Sequence, residues 1–193
     1  MTQSTELIIL NLTKVKDNSI VIHSLSREFG RKSFIVSIKK SASMAMFLPL
    51  NILEADVTDN PKSQLWRARN FISKYPLMQI RNNMHKNAMT LFFSEVLFKV
   101  LREGGYDTAL FDWCKDIILR LERLEGGYAA FNTGFLVELA VELGFAPSGE
   151  DILPFADKGD KDNLDTMLRY LSHHLGTSLN IQSLKVLREL YNR

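Results

Sequence analysis

The spacing of apolar residues changes period once along this 193-residue chain, near residue 71, and that change requires two kinds of layer in one molecule. Before it, short β-branched and aromatic runs partly alternate: Leu7-Ile-Ile-Leu10 continuing to Leu12 and Val15, then residues 19–23, then residues 33–38. Turn chemistry separates them, Lys16-Asp17-Asn18 after the first run and Glu28-Phe29-Gly30-Arg31 after the second. A fourth run over 47–57 carries Pro49, which suits a strand start, an edge or a bulge, and 64–69 supplies a fifth after Asp59-Asn60-Pro61. Five strands with no room for crossover helices make an antiparallel barrel or meander, and an OB-like barrel is the economical arrangement.

Beyond residue 71 the pattern is helical. Residues 84–103 place apolar side chains at 88, 91, 92, 96, 97, 100 and 101, and Gly104-Gly105 stops that helix. Asp107 is placed to cap the next one, whose stripe is Leu110, Cys114, Ile117, Ile118, Leu121 and Leu124, ending at Gly126-Gly127. A third helix spans about 129–143 and ends at Gly144; Phe131, Phe135, Leu139 and Leu143 recur about once per turn and should share a core. The acidic stretch 148–163 reads as a loop. Helices over 164–175 and 181–191 follow, with Gly176 ending one and Asn180 capping the other. The fold class is therefore α+β: a five-stranded antiparallel OB-fold barrel over 1–70, then an all-helical domain over 71–193.

The content is that of an ordinary globular protein, 46% hydrophobic and 24% charged, which excludes wholesale disorder. A single cysteine, Cys114, excludes an intrachain disulfide framework and a four-cysteine zinc site, and fits a reducing compartment. The most apolar helical stretch, 90–101, is interrupted by Glu95 and Lys99 and falls short of the ~20 residues a membrane span needs. The first residues lack a basic segment followed by an apolar one, so no signal peptide is read there. A cytoplasmic protein with no membrane contact is the expectation.

The net charge of +2 hides an asymmetry. Residues 1–102 carry 15 Lys/Arg against 7 Asp/Glu, residues 103–165 carry 5 against 14, and residues 166–193 carry 4 against 1. Blocks of opposite sign suggest a face turned toward a polyanion, unless folding mixes the charges in space.

Catalytic groups are poorly supplied. There is no Gly-x-Ser-x-Gly, no phosphate-cradling glycine loop and no His-Glu-x-x-His helix. His173 and His174 are adjacent, about 100° apart on a helix, and cannot chelate one metal alone. Cys114 lies on an apolar stripe, and Glu138 with Glu142 reads as the wet side of a helix. The expectation is no enzyme, no metal and no cofactor.

The barrel's basic residues say more. Arg27, Arg31 and Lys32 surround the Gly30 turn, and Lys39 with Lys40 closes the next strand. Lys62, Arg67 and Arg69 extend the same set, and Arg81 and Lys86 carry it onto the helical domain. Such side chains neutralise phosphates, while Phe29 and Trp66 are candidates for stacking bases where they are not simply core.

These residues sit in an order that resembles one family. Glu6-Leu-Ile-Ile-Leu10, Ser19-Ile-Val-Ile22 and Leu25-Ser-Arg-Glu-Phe-Gly-Arg31 resemble the opening strands and turn of the bacterial RecO family, and Phe47-Leu-Pro-Leu-Asn-Ile-Leu-Glu54 its proline-containing strand. Phe131-Asn-Thr-Gly-Phe-Leu-Val-Glu-Leu-Ala-Val-Glu-Leu-Gly-Phe-Ala-Pro147 is similar to its most specific helix, and Leu168 to Gly176 with Ser183 to Glu189 to its last helices.

The resemblance implies an OB-fold followed by helices, a DNA repair and homologous recombination mediator, binding of single- and double-stranded DNA, and annealing of complementary strands. It implies as partners RecR, the C-terminal tail of the single-strand-binding protein SSB and, indirectly, RecA, with a cytoplasmic, nucleoid-associated location. The family's basic positions fall here on Arg31, Lys39 and Lys40. Many members carry a cysteine zinc site, for which this chain has only Cys114, and the stretches 41–46 and 148–166 look short for the family. The contrasting expectation is an OB-plus-helix adaptor that binds protein and no DNA, its basic barrel being a solvated face.

Overall fold

The computed structural model describes residues 2–38, 44–63, 65–105, 107–156, 158–159 and 163–191. Five strands, β1 (Thr2–Lys16), β2 (Ser19–Ser26), β3 (Gly30–Ser37), β4 (Ile52–Thr58) and β5 (Trp66–Ser73), close into a barrel in the order β1-β2-β3-β5-β4. Every neighbouring pair is antiparallel except β3 with β5, which is parallel. The barrel is thus mixed where the sequence reading had it antiparallel. Directions cannot alternate all the way round a ring of five, so one pair must run the same way.

β1 is long because it serves two partners. Its first half pairs with β4 from Thr2↔Thr58 to Ile8↔Ile52, and its second half pairs with β2 from Leu7↔Ser26 to Lys16↔Ser19. The Leu7-Ile-Ile-Leu10 run is buried on both faces of this strand. Leu7 and Ile9 point into the barrel with Ile22, Phe34 and Leu53, while Ile8 and Leu10 belong to the helical core with Phe92 and Phe93. A strand covered on both sides has no solvent face to carry polar residues, which explains the unbroken apolar run.

The fourth strand starts later than the apolar run at 47–57 suggests. A 3-10 turn (Met44–Phe47) precedes it, and Leu50 takes a left-handed conformation, φ 61°, before the strand begins at Ile52. Leu50 donates its N–H to the Ile9 carbonyl at 2.8 Å, and its side chain is completely buried in the helical core. Left-handed backbone costs a non-glycine residue about 1–2 kcal/mol, which burial of a whole leucine offsets. β5, in turn, runs on to Ser73, through and beyond residue 70.

Seven helices follow among the described residues: α1 (Met78–Asn82), α2 (Met84–Val100), α3 (Thr108–Arg123), α4 (Tyr128–Glu142), α5 (Gly149–Ile152), α6 (Leu164–Leu175) and α7 (Ser183–Tyr191). The acidic stretch read as a loop contains α5 and a 3-10 turn (Leu153–Phe155), started by the Ser148 hydroxyl accepting from the Asp151 N–H. Asp107 caps α3 as expected, its carboxylate accepting from the Ala109 and Leu110 N–H groups at 2.9 and 3.1 Å. α7 differs: the N–H groups of Gln182 and Ser183 are taken by Glu95 of α2, at 2.9 and 2.8 Å, and not by Asn180.

The barrel and the helices are joined by side chains from both. Lys115 of α3 donates to both Glu6 carboxylate oxygens of β1, at 2.9 and 3.1 Å. Arg27 forks onto Asp112 of α3, and the Ser33 hydroxyl donates to Glu103 at 2.8 Å.

Candidate nucleic-acid interface

Four of the nine expected cations have their charged heads occupied inside the protein. Arg27 is held by Asp112, with Nη2 3.0 Å from Oδ2, and its guanidinium lies 5.7 Å from the Phe111 ring centre. Arg31 donates from Nη1 to the Leu101 carbonyl and lies 4.4 Å from the centre of the Phe98 ring. Burial lowers its pKa from the ordinary arginine value, Glu103 opposing, and the group stays charged at any physiological pH. Arg81 donates from Nη2 to the Pro49 carbonyl at 2.8 Å and to the Asn51 side chain, tying α1 to the turn before β4. Lys86 is only 4% exposed and donates to the Glu122 carbonyl at 2.7 Å.

The remaining described members of that set, Lys32, Arg67 and Arg69, lie on β3 and β5. Arg67 and Arg69 are exposed, and neither guanidinium makes an ion pair or a hydrogen bond with another described residue. Lys32 is half-buried, with Nζ 4.6 Å over the Trp66 ring. Trp66 packs against Phe29 and Phe34 at 4.9 and 6.4 Å between ring centres, so the two stacking candidates close one end of the barrel core. Lys39 and Lys40 lie outside the described residues. Lys62, exposed, follows β4 in the turn that leads to β5.

Beside these cations lies a feature that the strand pattern does not announce. An open cleft of about 1020 Å³ separates the later part of β3 from β5, lined among others by Ser37, Phe47, Asn60, Arg67, Arg69 and Phe71. Its only forewarning in the sequence is Asn70 between Arg69 and Phe71, a residue type tolerant of the left-handed backbone it adopts here, φ 56°.

A polar relay fills the seam behind this flank. His23 Nδ1 lies 2.9 Å from Ser33 Oγ and Nε2 3.1 Å from Thr13 Oγ1. Because the Ser33 hydroxyl donates to Glu103, it accepts from the imidazole, which leaves Nε2 to accept from Thr13. Burial first, then Arg31, lower the His23 pKa from its ordinary value against the pull of Glu103, which favours the neutral ring. The hydroxyl sits between the imidazole and the carboxylate, the reverse of the order in which an imidazole activates a serine.

Cys114 is 1% exposed, and burial pushes its thiol pKa far above the ordinary value, so it is held as an inert thiol. Among the described residues no group of three or more His, Cys, Asp or Glu side chains is placed to hold a metal ion. No described helix is long and apolar enough to cross a membrane.

Fold and flank together define an OB-barrel protein with an appended helical domain and a cationic barrel side. The family model for the C-terminal part of recombination protein O matches residues 81–151. The chain is 30% identical over 155 residues to the DNA repair protein RecO of Phocaeicola vulgatus, covering 78% of this chain and 64% of that protein. It is 31% identical over 160 residues to the same-named protein of Porphyromonas gingivalis, covering 76% and 64%, and 25% identical over 192 residues to that of Flavobacterium johnsoniae, covering 96% and 78%. Over most of its length, then, the chain is similar to proteins of the RecO family. The match spans 64% of the length of the first of these relatives.

Proposed function

We propose that this chain is a DNA repair and homologous recombination mediator that binds single- and double-stranded DNA through the β3–β5 flank of its barrel. In this reading it anneals complementary strands and, with RecR, helps load RecA onto strands coated by SSB, whose C-terminal tail it docks; it works in the cytoplasm, on the nucleoid. The work is done by binding alone, with no catalytic group, cofactor or metal. Similarity to proteins named DNA repair protein RecO supports the role. The observation that carries the choice of surface is that Arg67 and Arg69 stand exposed without partners among the described residues, while Arg27, Arg31, Arg81 and Lys86 are engaged within the protein. Lys32 belongs to the same flank, and Lys39 and Lys40, which follow β3 in the chain, are proposed with it.

Free guanidinium groups on a strand release condensed counterions when they meet phosphates, so log affinity falls with log salt by about 0.7 per neutralised phosphate on single strands. Charge reversal at both positions, Arg67→Glu with Arg69→Glu, is expected to weaken single-strand and duplex binding alike, across unrelated sequences. It should reduce the salt slope by about 1.4 on single strands if each residue meets one phosphate. A titration of labelled DNA at stepped salt reads both quantities. Equal affinity and equal slope in the folded double variant would reject this surface. A parent chain that retains no DNA at moderate salt would favour the protein-only adaptor.

A further inference from the structure

We propose that Asp112 of α3 is a built-in competitor of DNA phosphates. It holds Arg27 in the free protein and yields it to a phosphate when DNA binds, so that the helical domain sets the affinity of the barrel. This rests on the DNA-binding reading above and adds an autoinhibitory contact at the turn between β2 and β3.

The four engaged cations are not held alike. Arg31 and Arg81 donate to the carbonyls of Leu101 and Pro49, and Lys86, 4% exposed, donates to that of Glu122. A carbonyl that anchors one element on another is not given up to an anion from solvent. Arg27, by contrast, is held by a carboxylate, its two Nη atoms on the two Asp112 oxygens. A phosphate accepts the same fork through two of its own oxygens, so it can take the place of Asp112 on Arg27.

Exposure makes the exchange cheap. The Arg27 and Asp112 side chains are 35% and 51% exposed, against 21% and 20% for the neighbouring Lys115–Glu6 pair. An exposed ion pair is weak, and Asp112 is rehydrated once it lets go. The seam does not depend on it. Lys115 keeps both Glu6 oxygens, and Leu25 of β2 stays buried in one cluster with Leu110 and Phe111 of α3. Glu6 and Glu28, the other described carboxylates that act on Arg27, are committed to Lys115 and to the Thr5 hydroxyl. Neutralising Asp112 therefore removes the one acceptor that occupies the fork and leaves the docking of α3 in place.

Two other roles compete: Asp112 as a plain structural dock, and Asp112 as one more negative charge that repels DNA from a distance. The test uses the full chain with a labelled oligothymidine strand and a duplex of equal length, at stepped salt. Asp112→Asn is expected to tighten binding to both DNA forms by about two- to fivefold, which is what release from an exposed ion pair is worth. The gain should shrink as salt rises and screens the pair in the parent. In an Arg27→Gln background the same substitution should lose most of its effect. An equal gain in both backgrounds would mean repulsion at a distance, and no gain at all would mean a structural dock; each overturns the proposal. A second readout needs no variant: the side-chain carboxyl carbon resonance of Asp112 should move as the unaltered protein is saturated with DNA, and a resonance that stays in place also overturns it. If the unaltered chain binds neither DNA form, the DNA-binding reading fails and takes this proposal with it. If Arg67→Glu with Arg69→Glu weakens binding as expected above while Asp112→Asn changes nothing, only this proposal fails.

Discussion

Glu95 shows how much a single charge inside an apolar helix can organise. In the sequence it interrupts the 90–101 stretch; in the fold it collects the Gln182 and Ser183 N–H groups, the Ser183 hydroxyl at 2.6 Å and Lys99 at 2.9 Å. Burial pushes its pKa up, but the hydrogen bonds from Ser183, Lys99 and Gln182 override this and hold it at about 2, against an ordinary 4.5. A carboxyl with a depressed folded pKa contributes stability that is present above pH 4.5 and is lost as pH falls toward 2. Glu95→Gln should therefore cost about 1–2 kcal/mol at pH 7, a figure discounted for partial exposure. Urea unfolding at stepped pH should show the parent and the variant converging as pH approaches 2; a constant gap would mean that the charge is not what stabilises α7. None of this was legible beforehand, because Glu95 and Ser183 are 88 residues apart. The same holds for the basic residues. Leu101, Pro49 and Glu122 receive Arg31, Arg81 and Lys86 through backbone carbonyls, which every residue has and no sequence pattern marks.

At the scale of elements, legibility followed length. α2, α3, α4 and α6 are 12 to 17 residues long, enough for apolar periodicity to declare them, and their observed bounds stay close to the pattern. α1 and α5, of 5 and 4 residues, are too short to show a period. α1 owes its start to Glu122 of α3, whose carboxylate accepts from the Gln79 and Ile80 N–H groups at 2.8 Å each. Its residue before the first turn, Leu77, has no capping side chain at all. α4 carries the clearest reading: Phe135 and Leu139 are buried, and Phe131 and Leu143 pack at the margin of the same core. The Phe135 ring stacks on Phe93 with 3.9 Å between centres and faces Trp113 at 5.8 Å. Phe135→Ala removes a ring locked between two helices that cannot collapse onto the space, and should cost about 3–5 kcal/mol. Chemical denaturation measures it. A variant of unchanged midpoint would contradict the packing role, and one that is fully stable yet has lost DNA binding would make Phe135 a binding residue.

At the scale of the molecule, the opposed charge blocks of the sequence meet across the seam instead of forming two separate patches. Arg27 of the basic block holds Asp112 of the acidic one, and Arg31 and Ser33 receive Glu103 and its neighbours. Block counts register sign along the chain but not the docking of a barrel on helices, which is why the net of the first 102 residues overstates the free cationic surface. The seam is also apolar. Ile8, Leu10, Leu25, Leu50 and Ile52 leave the barrel interior and join the cluster of Phe92, Phe93 and Val96, each at 2% exposure or less. Burying an aliphatic side chain of this size contributes about 1.5–3 kcal/mol, so five of them match the ~5–15 kcal/mol by which a whole domain is stable. Barrel and helices should therefore unfold together. Two tryptophans report on the two sides: Trp66 packs on the barrel core and Trp113 on the helical one. Trp113→Phe leaves the barrel reporter and Trp66→Phe leaves the helical one. With each variant followed by fluorescence and by far-UV circular dichroism, the two probes should give one midpoint within each variant. A barrel signal that moves at a lower denaturant concentration than the helical signal of the same variant would show two independent units and leave the seam a mere contact.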